Sequence, residues 1–139
     1  MESQTPNQTP PAPPTGQKPK ILLVEDDTLL IKMYKTKFEM EGFEILVAQD
    51  GESGLQIALN SDIDFIILDV MLPKISGLDL LEKLRQDPRK KDLKVIFLSN
   101  LNNPQDAQKA FNLGAKEYLL KSNLTPSEIV KKVHQYLNV

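Results

Sequence analysis

The sequence predicts an α/β fold, a parallel sheet covered by helices on both faces. Three observations carry that expectation. Short aliphatic runs alternate five times with stretches of helical period; the runs are apolar throughout rather than alternating; and caps or glycines stand at the joins. A strand apolar on every residue is buried on both faces, which is the mark of a parallel sheet between helix layers.

Residues 1–19, MESQTPNQTPPAPPTGQKP, come first and hold six of the ten prolines. Their only apolar side chains besides proline are Met1 and Ala12, so they bury too little surface to offset the entropy of ordering, and a disordered, partly polyproline tail is expected. PPAPP could also be read as a ligand for a proline-binding domain. From Lys20 onward the strand runs are ILLV (Ile21 to Val24), EILVA (Glu44 to Ala48), FIIL (Phe65 to Leu68), VIFL (Val95 to Leu98) and YLL (Tyr118 to Leu120). Between the first two, Leu29, Leu30, Met33, Tyr34 and Phe38 recur at helical spacing, and Gly42 supplies the stop. A second helix follows Asp50 as N-cap, with Leu55, Ala58 and Leu59 inward. The third runs from about Leu78 to Gln86 and ends before Pro88. The fourth starts at Pro104, turns Ala107, Ala110 and Phe111 inward, and stops at Gly114. The fifth opens with Thr125, Pro126 and Glu128 as N-cap, N1 and N3, a capping box, and buries Ile129, Val130, Val133, Tyr136 and Leu137. Right-handed crossovers leave few topologies for five such units. The flavodoxin-like order 2-1-3-4-5, doubly wound, is the commonest.

The 139 residues, 40% apolar and 26% charged, suit one domain spanning 20–139. A formal net charge of -2 lacks the basic footprint of a nucleic-acid or anionic-membrane binder. There are no cysteines, which excludes disulfides, thiolate metal sites and cysteine nucleophiles. No run approaches the roughly 20 apolar residues of a membrane span, and the N-terminus has no signal-peptide core, so a cytoplasmic location is expected.

In open parallel sheets, sites form at the carboxyl ends of the strands near the point where strand order reverses. Strand one ends in Glu25, Asp26 and Asp27, strand three in Asp69, strand four in Ser99 and Asn100, and strand five in Lys121. The order 2-1-3 puts Asp69 beside Glu25 and Asp26. Like charges about 4 Å apart repel by roughly 4 kcal/mol at an effective dielectric near 20, so the cluster needs a cation, a proton or full hydration. A helix cap explains one of the acids and leaves the others. Magnesium suits an all-oxygen donor set, with manganese as a substitute, whereas zinc lacks nitrogen and sulfur ligands because the single histidine, His134, lies near the C-terminus and reads as an exposed helix residue. With Glu25 and Asp26 neutralised, the Asp69 carboxylate could attack a phosphorus in line, giving an acyl phosphate, while Lys121 pairs with the phosphoryl oxygens and Ser99 donates to one of them.

These stretches resemble the receiver domain of two-component response regulators. The likeness runs from about Lys20 to Leu137 and rests on LLVEDD, DFIILDVMLPKISGLDLL, VIFLSN and GAKEYLLKS in that order. The resemblance implies that Glu25, Asp26, the phospho-accepting Asp69 and the backbone carbonyl of Met71 hold the metal. It makes Ser99 the switch hydroxyl, Tyr118 the switch aromatic and Lys121 the family's invariant lysine. It further implies phosphoryl transfer from a histidine kinase or histidine phosphotransfer protein onto Asp69, and a repacked face of helix four, strand five and helix five that engages a downstream protein in trans or a second copy. On this reading the chain is no enzyme in the ordinary sense but assists its own phosphorylation and dephosphorylation. Two residues depart from the family pattern: Ser122 stands where a cis proline usually follows the lysine, and Asn100 replaces a small residue. A cis Lys121-Ser122 bond would cost about 3 kcal/mol, so the loop either stores strain or is arranged differently. With Val139 directly after helix five, a stand-alone receiver without its own DNA-binding output is expected.

Three other functions compete. A pseudo-receiver, a phosphorylation-independent interaction module, would share the fold but lacks a reason to keep every site residue. A flavin carrier needs a phosphate-cradling loop after strand one, where these acids would repel the ligand. An aspartyl phosphatase needs a second acid where Met71 stands. The cluster Arg85, Arg89, Lys90, Lys91 and Lys94 reads as a solvated turn, and Lys109, Lys116, Glu117, Lys131 and Lys132 as an exposed face.

Overall fold

The structure, a computed structural model, describes residues 17–139. The tail reading of residues 1–16, including PPAPP, lies outside the described residues. Ordered pairing begins slightly earlier than expected, because the carbonyl of Pro19 accepts from the Glu44 amide at 2.9 Å. Five units follow: β1 (Lys20–Val24), α1 (Thr28–Met40), β2 (Glu44–Ala48), α2 (Gly51–Asn60), β3 (Phe65–Asp69), α3 (Gly77–Arg85), β4 (Lys94–Ser99), α4 (Pro104–Asn112), β5 (Glu117–Leu120) and α5 (Pro126–Leu137). Short 3-10 turns at Pro88–Lys90 and Lys121–Asn123 join α3 to β4 and β5 to α5.

The strands form one parallel sheet in the order β2-β1-β3-β4-β5, as the alternation of elements predicts. Ile21 to Val24, Phe65 to Leu68 and Val95 to Leu98 are all buried, so the three inner strands are apolar on both faces. Successive side chains leave a strand on opposite sides, which divides the core in two. Leu22, Val24, Ile66, Leu68, Val95 and Phe97 pack beneath α2, α3 and α4 against Ala58, Leu80, Leu81, Leu84 and Ala110. Ile21, Leu23, Phe65, Ile67, Ile96 and Leu98 meet Tyr34 and Phe38 of α1 and Ile129, Val130 and Val133 of α5. Each such aliphatic side chain contributes roughly 1.5–3 kcal/mol by leaving water.

The local signals act as the sequence suggests. Asp27 caps α1 by accepting from Leu29 and Leu30 amides, Asp50 caps α2 through Ser53, and Thr125 and Glu128 make the reciprocal capping box of α5. Gly42 (φ 91°) and Gly114 (φ 86°) take the left-handed conformation just past α1 and α4. Three residues expected inside are largely exposed: Leu29 (66%), Met33 (43%) and Phe111 (49%). Their helices lie on the sheet by a narrower stripe, Tyr34 with Phe38 in α1 and Ala110 in α4. Among the described residues no helix is long and apolar enough to cross a membrane.

Within the basic cluster after α3, Arg85 and Lys90 are bound to main-chain carbonyls, while Arg89 and Lys91 stay exposed on the solvated turn. Arg85 donates to main-chain carbonyls, Arg89 pairs with Asp87 at 2.8 Å, and Lys90 Nζ donates to the Ser61 carbonyl. On the other face of the sheet, Glu117 is half-buried and accepts from Lys132 and Tyr136 of α5, so these two charges are not the free surface pair expected. His134 is likewise only partly exposed and stacks on Phe43 with ring centroids 4.7 Å apart.

Candidate functional site

The register of the sheet assembles the site. Val24 pairs with Leu68, so the residues that follow, Glu25 and Asp69, leave adjacent strands side by side; Ser99 pairs with Leu120, which brings Lys121 to the same rim. One carboxylate oxygen from each of Glu25, Asp26 and Asp69 lies within 4.8 Å of the other two. Glu25 and Asp69 are buried while Asp26 is exposed, so the cluster opens outward through Asp26. Asp27, the fourth acid of the rim, is spent on the α1 cap.

Lys121 is more central than its place in the sequence suggests. Its Nζ lies 2.7 Å from Glu25 Oε1 and 2.9 Å from Asp69 Oδ2, and all three side chains are at most 8% exposed. The ammonium thus bridges two of the acids directly, where the sequence reading made a divalent cation alone join the charges and set Lys121 to one side. Remaining oxygens are also engaged. Glu25 Oε2 accepts from the Asp27 amide at 3.0 Å, and Asp69 Oδ1 from the Met71 amide at 3.2 Å. Burial pushes the Glu25 carboxyl above its ordinary value against the hydrogen bond from Lys121. Burial also acts to lower the Lys121 ammonium, but its hydrogen bonds to Glu25 and Asp69 and their negative charges together outweigh it and the net shift is upward.

The Lys121–Ser122 peptide is trans, since no cis bond occurs among the described residues. The Lys121–Asn123 turn takes the place of the strained alternative, with Ser122 and Asn123 exposed and Lys121 directed inward. Asn100 is exposed at the end of β4. Met71 offers its amide to Asp69, and its side chain is 69% exposed beside the cluster.

Ser99 and Tyr118 meet at a group that sequence reasoning missed. The buried Ser99 Oγ donates to the Leu101 carbonyl at 2.9 Å and accepts from the Leu101 amide at 3.1 Å; Tyr118 Oη donates to the same carbonyl at 3.4 Å. One peptide of the β4–α4 loop therefore holds both residues. A main-chain carbonyl leaves no mark in the sequence, so nothing there could have revealed it. Gly77 was also missed. A Cβ at this position would lie 2.0 Å from the Asp69 carbonyl oxygen, so only glycine lets α3 start against the backbone of the site.

The donor set, carboxylates with no nitrogen or sulfur ligand, fits a hard cation such as magnesium. A buried carboxylate next to a fixed ammonium and a cation site can accept a phosphoryl group. Comparison with known proteins identifies the family. The sequence model of the response regulator receiver domain matches residues 21–134. The chain is 41% identical over 118 residues to the transcriptional regulatory protein CpxR of Escherichia coli K12, a match covering 85% of this chain and 49% of CpxR. It therefore spans about half the length of the curated relatives it matches. Among solved structures it resembles the CheY-like receiver domain protein of Methanospirillum hungatei JF-1, with a TM-score of 0.80 and 28% identity over 88% of this chain and 95% of that one. It also resembles the phosphorylated cyanobacterial phytochrome response regulator RcpA, with a TM-score of 0.75 and 28% identity over 87% of this chain and 94% of that one. Sequence match, strand order and the acids at the rim converge, and the chain belongs to the response regulator receiver domain family.

Proposed function

We propose that this chain is a phosphorylation switch that accepts a phosphoryl group on Asp69 from a histidine kinase or histidine phosphotransfer protein and then changes which protein it binds. The observation that carries the reading is the buried Asp69 carboxylate, held by Lys121 at 2.9 Å, with one of its oxygens and one each from Glu25 and Asp26 within 4.8 Å of one another. A relative of the same fold, RcpA, is known in its phosphorylated form. In the transfer, an Asp69 oxygen forms the new bond to phosphorus, the phosphorus–nitrogen bond to the donor imidazole breaks, and the imidazole leaves with its electron pair and takes up a proton.

Each residue has a part in this. Glu25, Asp26, Asp69 and the Met71 carbonyl would hold magnesium, or manganese in its place, and the ion would supply charge neutralisation for the phosphoryl oxygens. Lys121 holds and orients the Asp69 carboxylate, then offers its ammonium to the added oxygens. Ser99 can exchange the Leu101 carbonyl for a phosphoryl oxygen by turning its hydroxyl. That exchange removes one of the two bonds on the Leu101 carbonyl, so Tyr118 and the β4–α4 loop redistribute and the α4–β5–α5 face repacks for a protein partner. The chain acts on itself rather than turning over a substrate.

Intact-mass spectrometry after incubation with acetyl phosphate, with and without magnesium, tests the reading. A magnesium-dependent gain of one phosphoryl group by the native chain, absent in Asp69→Asn, is the expected result. Uptake at another residue, or none under any condition, overturns the assignment and leaves a constitutive interaction module.

A further inference from the structure

Helix α4 is held very differently at its two ends. Of Pro104–Asn112, Ala110 alone is buried, and the first two turns contribute nothing to the core. The N-terminal end joins the loop whose Leu101 peptide is gripped by Ser99 and Tyr118, so it is tied to the phosphorylation site. The C-terminal end is tied to α3 instead. Arg85, the last residue of α3, donates from Nε to the Leu113 carbonyl at 2.8 Å and from Nη2 to the Gly114 carbonyl at 3.5 Å. Its Nη1 donates to the carbonyls of Lys90 and Leu93 at 2.9 and 2.8 Å, on the turn that leads into β4.

The chemistry suits an anchor. Leu113 is the C-cap of α4, where the helix dipole is negative and the last carbonyls lack intrahelical donors. A planar guanidinium with five donors can satisfy several carbonyls on two segments at once, which a lysine ammonium on a flexible stem cannot do with the same geometry. Gly114 takes a left-handed conformation (φ 86°) that carries its carbonyl to Arg85, and a Cβ there would meet Arg85 Nη2 only in ordinary contact at 3.4 Å.

We propose that Arg85 is the positioning residue for the switch: it fixes the C-terminal end of α4 and so makes that end the pivot about which the helix moves when Asp69 is phosphorylated. The inference rests on the reading of Asp69 as phospho-acceptor for its trigger, but the anchor itself is a property of the unmodified chain. At 1.5 Å rise per residue, Pro104 lies about 13 Å along the axis from Leu113 and Ala110 about 4 Å, so a pivot displaces the first turn about three times as far as the last.

Two measurements on the full chain test it. Amide hydrogen exchange without any phosphodonor should show Phe111 to Gly114 better protected than Ala107 and Gln108, with that order lost in Arg85→Met and not restored in Arg85→Lys. Amide chemical shifts on adding acetyl phosphate and magnesium should change about threefold more at Leu101 to Ala107 than at Ala110 to Gly114 in the native chain, and evenly along α4 in Arg85→Met. Phosphoryl uptake by mass should be the same in both, which separates a positioning role from damage to the site. An even response in the native chain, or a gradient that survives Arg85→Met or Arg85→Lys, overturns the proposal. Should Arg85→Met fail to fold, the native profile and Arg85→Lys decide. Absence of uptake in every variant counts against Asp69 as acceptor, and hydrogen exchange then decides the anchor alone.

Discussion

Two buried carboxylates sharing one ammonium define the site at the scale of single residues, and each depends on the others. Replacing Lys121 by methionine keeps most of the stem but leaves Glu25 and Asp69 facing each other without a cation, 1% and 7% exposed. Breaking a buried pair in this way costs about 3 kcal/mol or more, and a divalent ion should recover part of it. Calorimetry of Lys121→Met should therefore show a lower Tm than the native chain and a larger upward shift on adding magnesium; equal magnesium shifts in both would show that Lys121 does not compensate the acids. Gly77 is the second test at this scale. With a Cβ 2.0 Å from the Asp69 carbonyl oxygen, Gly77→Ala forces the β3 terminus and the start of α3 apart. A loss of about 1–3 kcal/mol in denaturant unfolding is expected, the range of overpacking, together with slower phosphoryl uptake. A variant as stable and as fast as the native chain would show that the backbone there yields freely.

At the scale of elements, β5 and α5 show what the sequence could and could not convey. The capping box of α5 was legible because it depends on residues three apart in one stretch. The tie between β5 and α5 was not, because its partners are brought together only by the fold: Glu117 Oε2 accepts from Tyr136 Oη at 2.5 Å and Oε1 from Lys132 Nζ at 3.0 Å. Read singly, Glu117 and Lys132 resemble any exposed charges, and Tyr136 any core aromatic. Burial and then the Glu117 bond push the Tyr136 hydroxyl up to about 12 from its ordinary value of 10.0. The sign follows from linkage. A phenol whose pKa is higher in the folded chain contributes stability in full below the unfolded value, and loses it as pH rises from about 10 to about 12. An ultraviolet absorbance titration should therefore show late-ionising absorbance that falls by one tyrosine in Tyr136→Phe, while that of the buried Tyr34, also raised, remains. If the absorbance lost in Tyr136→Phe ionises near the ordinary value of 10.0 instead, Glu117 does not hold this hydroxyl.

Over the whole molecule, the division between legible and hidden follows burial and chain distance. Unbroken aliphatic runs announced a parallel sheet, and strand order followed from the handedness of the crossovers, so Glu25, Asp26, Asp69, Ser99 and Lys121 could be placed on one rim before any distance was known. What stayed hidden were the directions of side chains: Lys121 reaching across to Glu25, Ser99 turned to Leu101, and Leu29 and Phe111 facing out. The same architecture sets the balance of forces. Two apolar layers stabilise the sheet, while its carboxyl edge gathers like charges that oppose folding, so a ligand for that edge should stabilise the entire domain. An ion that binds only the folded chain adds about 2.7 kcal/mol at a concentration one hundred times its Kd. For a domain of this length, that corresponds to a Tm rise on the order of 10 °C. Differential scanning calorimetry across a magnesium series should show this rise in the native chain. Asp69→Asn should show much less of it, because the amide removes one anionic ligand yet leaves the apolar layers untouched. Lys121 already offsets part of the repulsion, so the native shift should also be smaller than that of Lys121→Met. A flat Tm across the series in all three proteins would mean that no divalent site exists at the rim.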